Sequence, residues 1–140
     1  MTETLTLHAT CVAVDGRGCL ITGPSGSGKS ALALQMLALG ARLVADDRVI
    51  LTATDGTLHA TCPAPLRGMI EARGLGLLNA DPLDSAAIAL AVDLSQTEPD
   101  RLPPQREVDY LGRTVALVLG SDQPHFPAAL MLYLRSGRRE

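Results

Sequence analysis

One segment restricts the fold of this chain more than any other: Gly23-Pro24-Ser25-Gly26-Ser27-Gly28-Lys29-Ser30. It satisfies Gly-x-x-x-x-Gly-Lys-Ser in full. An apolar run, Cys19-Leu20-Ile21-Thr22, precedes it and a stretch rich in Leu, Ala and Met follows, so strand, loop and helix stand in the order a phosphate-binding loop needs. Glycine is required because the backbone must take positive φ and let successive N–H groups converge on phosphate oxygens at a helix N-terminus. In that arrangement residues Gly23 to Gly28 cradle the phosphates of ATP, Lys29 reaches the β and γ phosphates, and the Ser30 hydroxyl binds Mg²⁺. The alternative is a glycine-rich turn that matches by chance. The expected fold class is α/β, a P-loop domain with a mixed sheet and few helices.

At 140 residues the chain has the size of one domain with one core, so residues 1–140 are expected to form a single domain. Its 12 basic and 15 acidic side chains give a net charge of -3. That balance leaves no basic face of the size a phosphodiester backbone requires, and no nucleic-acid partner is expected. No apolar run approaches the ~18 residues of a bilayer span, so no membrane partner is expected either. The amino end, Met1-Thr2-Glu3-Thr4, has an acid where a signal peptide has a base, which points to a cytoplasmic protein. Cys11, Cys19 and Cys62 are odd in number and lack Cys-x-x-Cys spacing, a pattern that fits inert core thiols better than disulfides or zinc ligands.

Along the chain, residues 5–14 and 19–22 read as two strands around a turn at Val14-Asp15-Gly16-Arg17. Residues 30–39 are apolar on nearly every side, the pattern of a buried helix, and Gly40 closes it. Leu43-Val44-Ala45 reads as a short buried strand, and residues 48–61 as a hairpin about Asp55-Gly56. Pro63 and Pro65 break the chain before residues 70–78, which hold Glu71, Arg73 and the closely spaced Gly74-Leu75-Gly76; 88–94 read as a strand, and 96–105 as a polar, proline-rich surface connection. Residues 110–119 form a last strand or strand pair, and 127–134 a closing helix. His59 and His125 are expected to be exposed, and Arg135, Arg138 and Arg139 to form a solvated tail at a helix C-terminus.

Two further clusters carry chemistry. Asp46 and Asp47 end the strand that begins at Leu43, where a phosphate-binding fold needs a carboxylate to face the metal. Side chains alternate along a strand, yet at its terminus the chain can bend to use both acids: one to hold the metal, the other to take a proton as general base. A solvated acidic turn is the plainer alternative. Ile70-Glu71-Ala72-Arg73-Gly74-Leu75-Gly76 sets an acid, a base and two glycines in an apolar neighbourhood, a composition shared by ligand-approaching loops and by loops with a simple exposed ion pair.

The phosphate loop, Leu43-Val44-Ala45-Asp46-Asp47-Arg48-Val49 and the segment from Ile70 to Gly76, in this order and spacing, resemble the catalytic domain of HPr kinase/phosphorylase over residues 8–119. The resemblance implies a phosphoenolpyruvate-carboxykinase-like fold and a homo-oligomer, a hexamer. It implies transfer of the ATP γ-phosphoryl, with Mg²⁺, to a seryl residue of the HPr phosphocarrier protein of the sugar phosphotransferase system, and removal of that phosphate by phosphorolysis to pyrophosphate. Lys29 and Ser30 match the family's nucleotide lysine and metal-binding serine. Asp47 matches its proton acceptor, which is the donor in the reverse direction, and Glu71 a second metal ligand beside Asp46. His8, 15 residues before Gly23, matches a histidine close to the catalytic aspartate. Arg101 matches an arginine that touches the transferring phosphate, with Arg106 as the alternative.

The chain is most similar to the short, catalytic-core form of that family. It departs from the pattern at Ala31, where an acid often follows the loop serine, and in Gly120-Ser121-Asp122-Gln123, which lacks the glycine- and base-containing loop tied to dephosphorylation. Two other functions share the loop. A small-molecule kinase of the nucleoside or shikimate type needs an arginine-bearing lid, for which the arginines between Arg42 and Arg113 form no cluster. A nucleotide-binding regulator would leave Asp47 idle.

Overall fold

The computed structural model describes residues 3–140. Its elements are β1 (Glu3–Leu7), β2 (Thr10–Val14), β3 (Arg17–Thr22), α1 (Lys29–Ala38), β4 (Arg42–Ala45), β5 (Val49–Thr54), β6 (Thr57–Thr61), a 3₁₀ turn (Ala64–Leu66), β7 (Met69–Ala72), β8 (Gly76–Asn79), β9 (Ser85–Thr97), β10 (Arg106–Tyr110), β11 (Arg113–Gly120) and α2 (Phe126–Ser136). Nine strands make one mixed sheet in the order β1-β5-β6-β9-β3-β2-β4, with β11 also on β9 and β10 on β11. The strand β9 organises it. Thirteen residues long, it runs antiparallel to β6 at its start and parallel to both β3 and β11 further on.

All five residues of β2 are buried, and the two-residue period of a strand explains how. Val12 and Val14, with Cys19 and Ile21 of β3, pack against Leu32, Ala33 and Met36 of α1 and Leu130, Met131 and Leu134 of α2. Cys11, Ala13 and Leu20 face the other way, into a second core with Val44, Val49, Leu51 and Leu58. Because β2 and β3 supply both cores, they read as near-continuous apolar runs.

The mixed α/β fold with two helices matches the expectation from the sequence, and so does the β5–β6 hairpin, with Asp55 at φ 44° and Gly56 at φ 78°. Several local expectations are corrected. The helix α1 is not buried all round: Leu32, Ala33 and Met36 form one inward stripe, while Ala31, Gln35 and Ala38 are exposed. Its end does follow the expected pattern. Gly40 N–H donates to Leu37 (3.1 Å) and Ala41 N–H to Met36 (3.0 Å), with Gly40 at φ 108°, the paired bonds of a Schellman cap.

Residues 5–14 divide into two strands, since β1 leaves β2 at His8 to pair with β5. Residues 70–78, to which the sequence assigns no element, lie in the hairpin β7–β8. The strand read at 88–94 runs from Ser85 to Thr97, and residues 110–119, read as a last strand or strand pair, hold the end of β10 and most of β11. His59 is half-buried within β6, whereas His125 is exposed. The basic tail is not wholly solvated, for Arg138 donates to the Pro103 carbonyl. Cys11 and Cys19 are buried and Cys62 half-buried, all three as free thiols. Among the described residues, no helix is long and apolar enough to cross a membrane.

Candidate active site

The strand β3 delivers the chain to Gly23 at the edge of the first core, and α1 takes it up again at Lys29. Between them Gly23, Gly26 and Gly28 have φ of 147°, 84° and 97°, values open to glycine and costly for other residues. At Gly23 a side chain is also crowded, since a Cβ there would lie 2.5 Å from Ser27 Oγ and 3.2 Å from Ser27 Cβ, and Ser27 would have to shift. The Lys29 side chain folds back along the loop, and its Nζ donates to the carbonyls of Gly23 (2.9 Å) and Pro24 (3.1 Å). The ammonium is thereby held against the loop it serves. Pro24, Ser25, Gly26 and Gly28 are exposed. Ser27 Oγ is buried with no hydrogen-bond partner among the described residues.

Asp46 and Asp47 are adjacent in sequence and opposite in environment. Just after β4 the chain makes a γ-turn in which Arg48 N–H donates to the Asp46 carbonyl (2.9 Å) across Asp47 at φ 72°. This is the rare, strained hand of that turn, and backbone strain of this kind concentrates at functional sites. Its effect is to send one carboxylate in and the other out. Asp46 is buried. Its Oδ1 accepts from Ser30 Oγ (2.7 Å) and Thr10 Oγ1 (2.9 Å), and its Oδ2 from the Glu71 backbone N–H (3.2 Å). Asp47 is 58% exposed, with Oδ1 at 2.9 Å from His8 Nε2 and Oδ2 at 4.0 Å from Arg48 Nε.

The phosphate loop, His8, Asp46, Asp47 and the start of β7 are therefore joined by direct contacts. The Glu71 carboxylate is exposed, and it is the backbone of this residue that reaches Asp46. Arg101 stands apart, exposed and lining a cleft of about 570 Å³ between the 97–106 connection, the end of β11 and the start of α2. Arg106 is committed to Glu98 through two bonds of 3.1 and 3.0 Å, which hold the Glu98 carboxyl below its ordinary range. Sequence reasoning missed Thr10. Its signal was a single hydroxyl in the apolar run Ala9-Thr10-Cys11-Val12-Ala13, and only the pairing of β2 with β4 gives that hydroxyl a meaning.

Among the described residues no three His, Cys, Asp or Glu side chains are placed to hold a metal ion together. The site offers instead a hydroxyl and a carboxylate, Ser30 and Asp46, bonded to each other next to a phosphate loop. Oxygen donors few in number suit Mg²⁺, which keeps waters and takes its remaining ligands from phosphate, and the residues present fit that ion.

Comparison with known proteins gives the same picture. The HPr kinase/phosphorylase of Clostridium novyi (strain NT) is 42% identical over 102 residues, 68% of this chain and 33% of that protein. The protein of the same name from Aromatoleum aromaticum (strain DSM 19018 / LMG 30748 / EbN1) is 42% identical over 120 residues, 76% of this chain and 38% of its own length. The chain thus spans little more than a third of these curated relatives. The solved structure of the Hpr(Ser) kinase/phosphatase from Coxiella burnetii superposes with a TM-score of 0.78 at 26% identity, covering 94% of each chain. The HPr Serine kinase C-terminal domain family matches residues 1–115. That span holds His8, the phosphate loop, both aspartates and Glu71, and by it the chain belongs to the family of the HPr serine kinase C-terminal domain.

Proposed function

We propose that this domain transfers the γ-phosphoryl of ATP to a seryl hydroxyl of an HPr-type phosphocarrier protein. One observation carries the reading: an exposed carboxylate, Asp47, bonded to His8, follows directly on the buried Asp46 that holds the phosphate-loop serine. A base and a phosphate site are brought together by a single turn of backbone.

In the forward direction the loop amides and Lys29 bind the phosphates; Arg101, which stands apart from the loop, is assigned to the transferring phosphoryl on the family resemblance alone. Ser30 and Asp46, with Glu71 as the further ligand that the family resemblance implies, would hold Mg²⁺, which would neutralise phosphate charge. The seryl oxygen forms a bond to the γ phosphorus as the bond to the β-phosphate oxygen breaks, and Asp47 takes the hydroxyl proton while His8 fixes the orientation of its carboxylate. The products are phosphoserine and ADP. In reverse, inorganic phosphate attacks the phosphoserine phosphorus, protonated Asp47 returns its proton to the leaving seryl oxygen, and pyrophosphate is formed. Family membership supports a cytoplasmic setting and a homo-oligomer, a hexamer.

Incubation of the protein with γ-labelled ATP, Mg²⁺ and the carrier protein of its own organism tests the reading. Label on a carrier serine, lost in Asp47→Asn with nucleotide binding retained, is the expected result. Binding without transfer to any carrier, or transfer to a small metabolite alone, overturns it.

A further inference from the structure

Thr10 is 1% exposed and is one of the few buried polar residues of the domain. A buried hydroxyl costs free energy unless it is bonded, and this one spends its proton on Asp46 Oδ1 (2.9 Å). The register makes the contact. Cys11 of β2 stands opposite Ala45 of β4 in an antiparallel pair, so the preceding residue of one strand meets the following residue of the other, Thr10 against Asp46. The same carboxylate oxygen accepts from Ser30 Oγ at 2.7 Å. Ser30 has a single hydroxyl proton, and while it points at Asp46 the oxygen lone pairs point elsewhere, available to a cation.

We propose that Thr10 is a positioning residue for cation binding at this site. By donating to the Asp46 oxygen that Ser30 also uses, it holds the carboxylate where the serine oxygen stays free for Mg²⁺. The inference rests on the nucleotide-binding reading above and adds to it a residue that touches neither metal nor phosphate. Outer-shell partners of this kind typically alter metal affinity by about 10- to 100-fold. Loop amides and Lys29 bind phosphate without Thr10, so metal-free nucleotide affinity should be insensitive to it.

The test is titration of fluorescent N-methylanthraniloyl-ATP against the intact protein, in EDTA and across a Mg²⁺ series, with Thr10→Val, Thr10→Ser and Ser30→Ala. Thr10→Val keeps the shape and removes the hydroxyl; Thr10→Ala replaces it if the valine variant fails to fold. The half-saturating Mg²⁺ concentration is expected to rise about tenfold in Thr10→Val, with nucleotide affinity in EDTA unchanged, and to return to the wild-type value in Thr10→Ser. A Thr10→Val titration equal to wild type, beside a Ser30→Ala variant that has lost its Mg²⁺ response, overturns the role of Thr10 and leaves the nucleotide site standing. Equal loss of affinity with and without Mg²⁺ in Thr10→Val also overturns it, as a merely structural effect. No Mg²⁺ response in the wild type itself removes both the site reading and this inference.

Discussion

His8 and Asp47 lie on opposite sides of the phosphate loop in sequence, yet His8 Nε2 sits 2.9 Å from Asp47 Oδ1. Both side chains are more than half exposed, at 55% and 58%, so the pair is worth about 1 kcal/mol or less to stability. On the proposed function, what it contributes is aim. Replacing His8 by Ala is expected to slow transfer by less than the ~10²-fold minimum for loss of the base itself, with the melting temperature nearly unchanged. A His8→Ala domain with wild-type kcat contradicts the orienting role.

The two aspartates should separate cleanly in a stability measurement. Asp46→Asn disrupts a buried group with three donors aimed at it and should cost about 1–3 kcal/mol, read as a lower urea midpoint at constant slope. Asp47→Asn should leave the midpoint in place, since the side chain is exposed and Asn tolerates the left-handed backbone.

Glycines of the loop should differ in kind. Gly28→Ala meets open space but at φ 97°, so its cost is the backbone penalty of about 1–2 kcal/mol together with weaker nucleotide binding. Gly23→Ala adds a collision with Ser27 Oγ at 2.5 Å and should bind nucleotide less well than Gly28→Ala in the same titration.

Burial pushes the Cys19 thiol up from 9.0 to about 12, and Cys11 is raised further still. Well below pH 9 these thiols are neutral in folded and unfolded chains alike, and their burial carries no pH dependence. As pH rises from 9 toward 12 the unfolded chain gives up the protons and the folded one keeps them, so stability falls, by at most about 1.4 kcal/mol per pH unit for each thiol. Urea midpoints between pH 8 and 10.5 should show this slope, and Cys11→Ala/Cys19→Ala should flatten it.

Arg101 and Arg106 should be distinguishable in the same way. Arg106 ties β10 to Glu98, so Arg106→Ala should lower the melting temperature. Arg101→Ala should leave the melting curve unmoved and reduce transfer, and unreduced transfer would remove Arg101 from the reaction.

Much of this was legible in the chain because the signals were local. The phosphate loop, the Asp55-Gly56 turn and the Gly40 cap each depend on residues within a few positions of one another. The β10–β11 turn was harder to see, because Leu111 at φ 52° precedes Gly112 where Asn or Asp usually announces such a bend. The departure of β1 from β2 and the contact of Thr10 with Asp46 depend on sheet register, which no short window of sequence contains. The Asp46-Asp47 pair was readable as two acids that face different ways. Which acid went inward was decided by the γ-turn.

That turn leaves the Asp47 carboxylate exposed to solvent. A group on the convex surface of another folded body can reach Asp47 without entering a crevice. Water has the same access, so on the proposed function the shielding that a closing flap gives elsewhere would come from the arriving body itself, and phosphoryl waste should be lowest when the correct acceptor is seated.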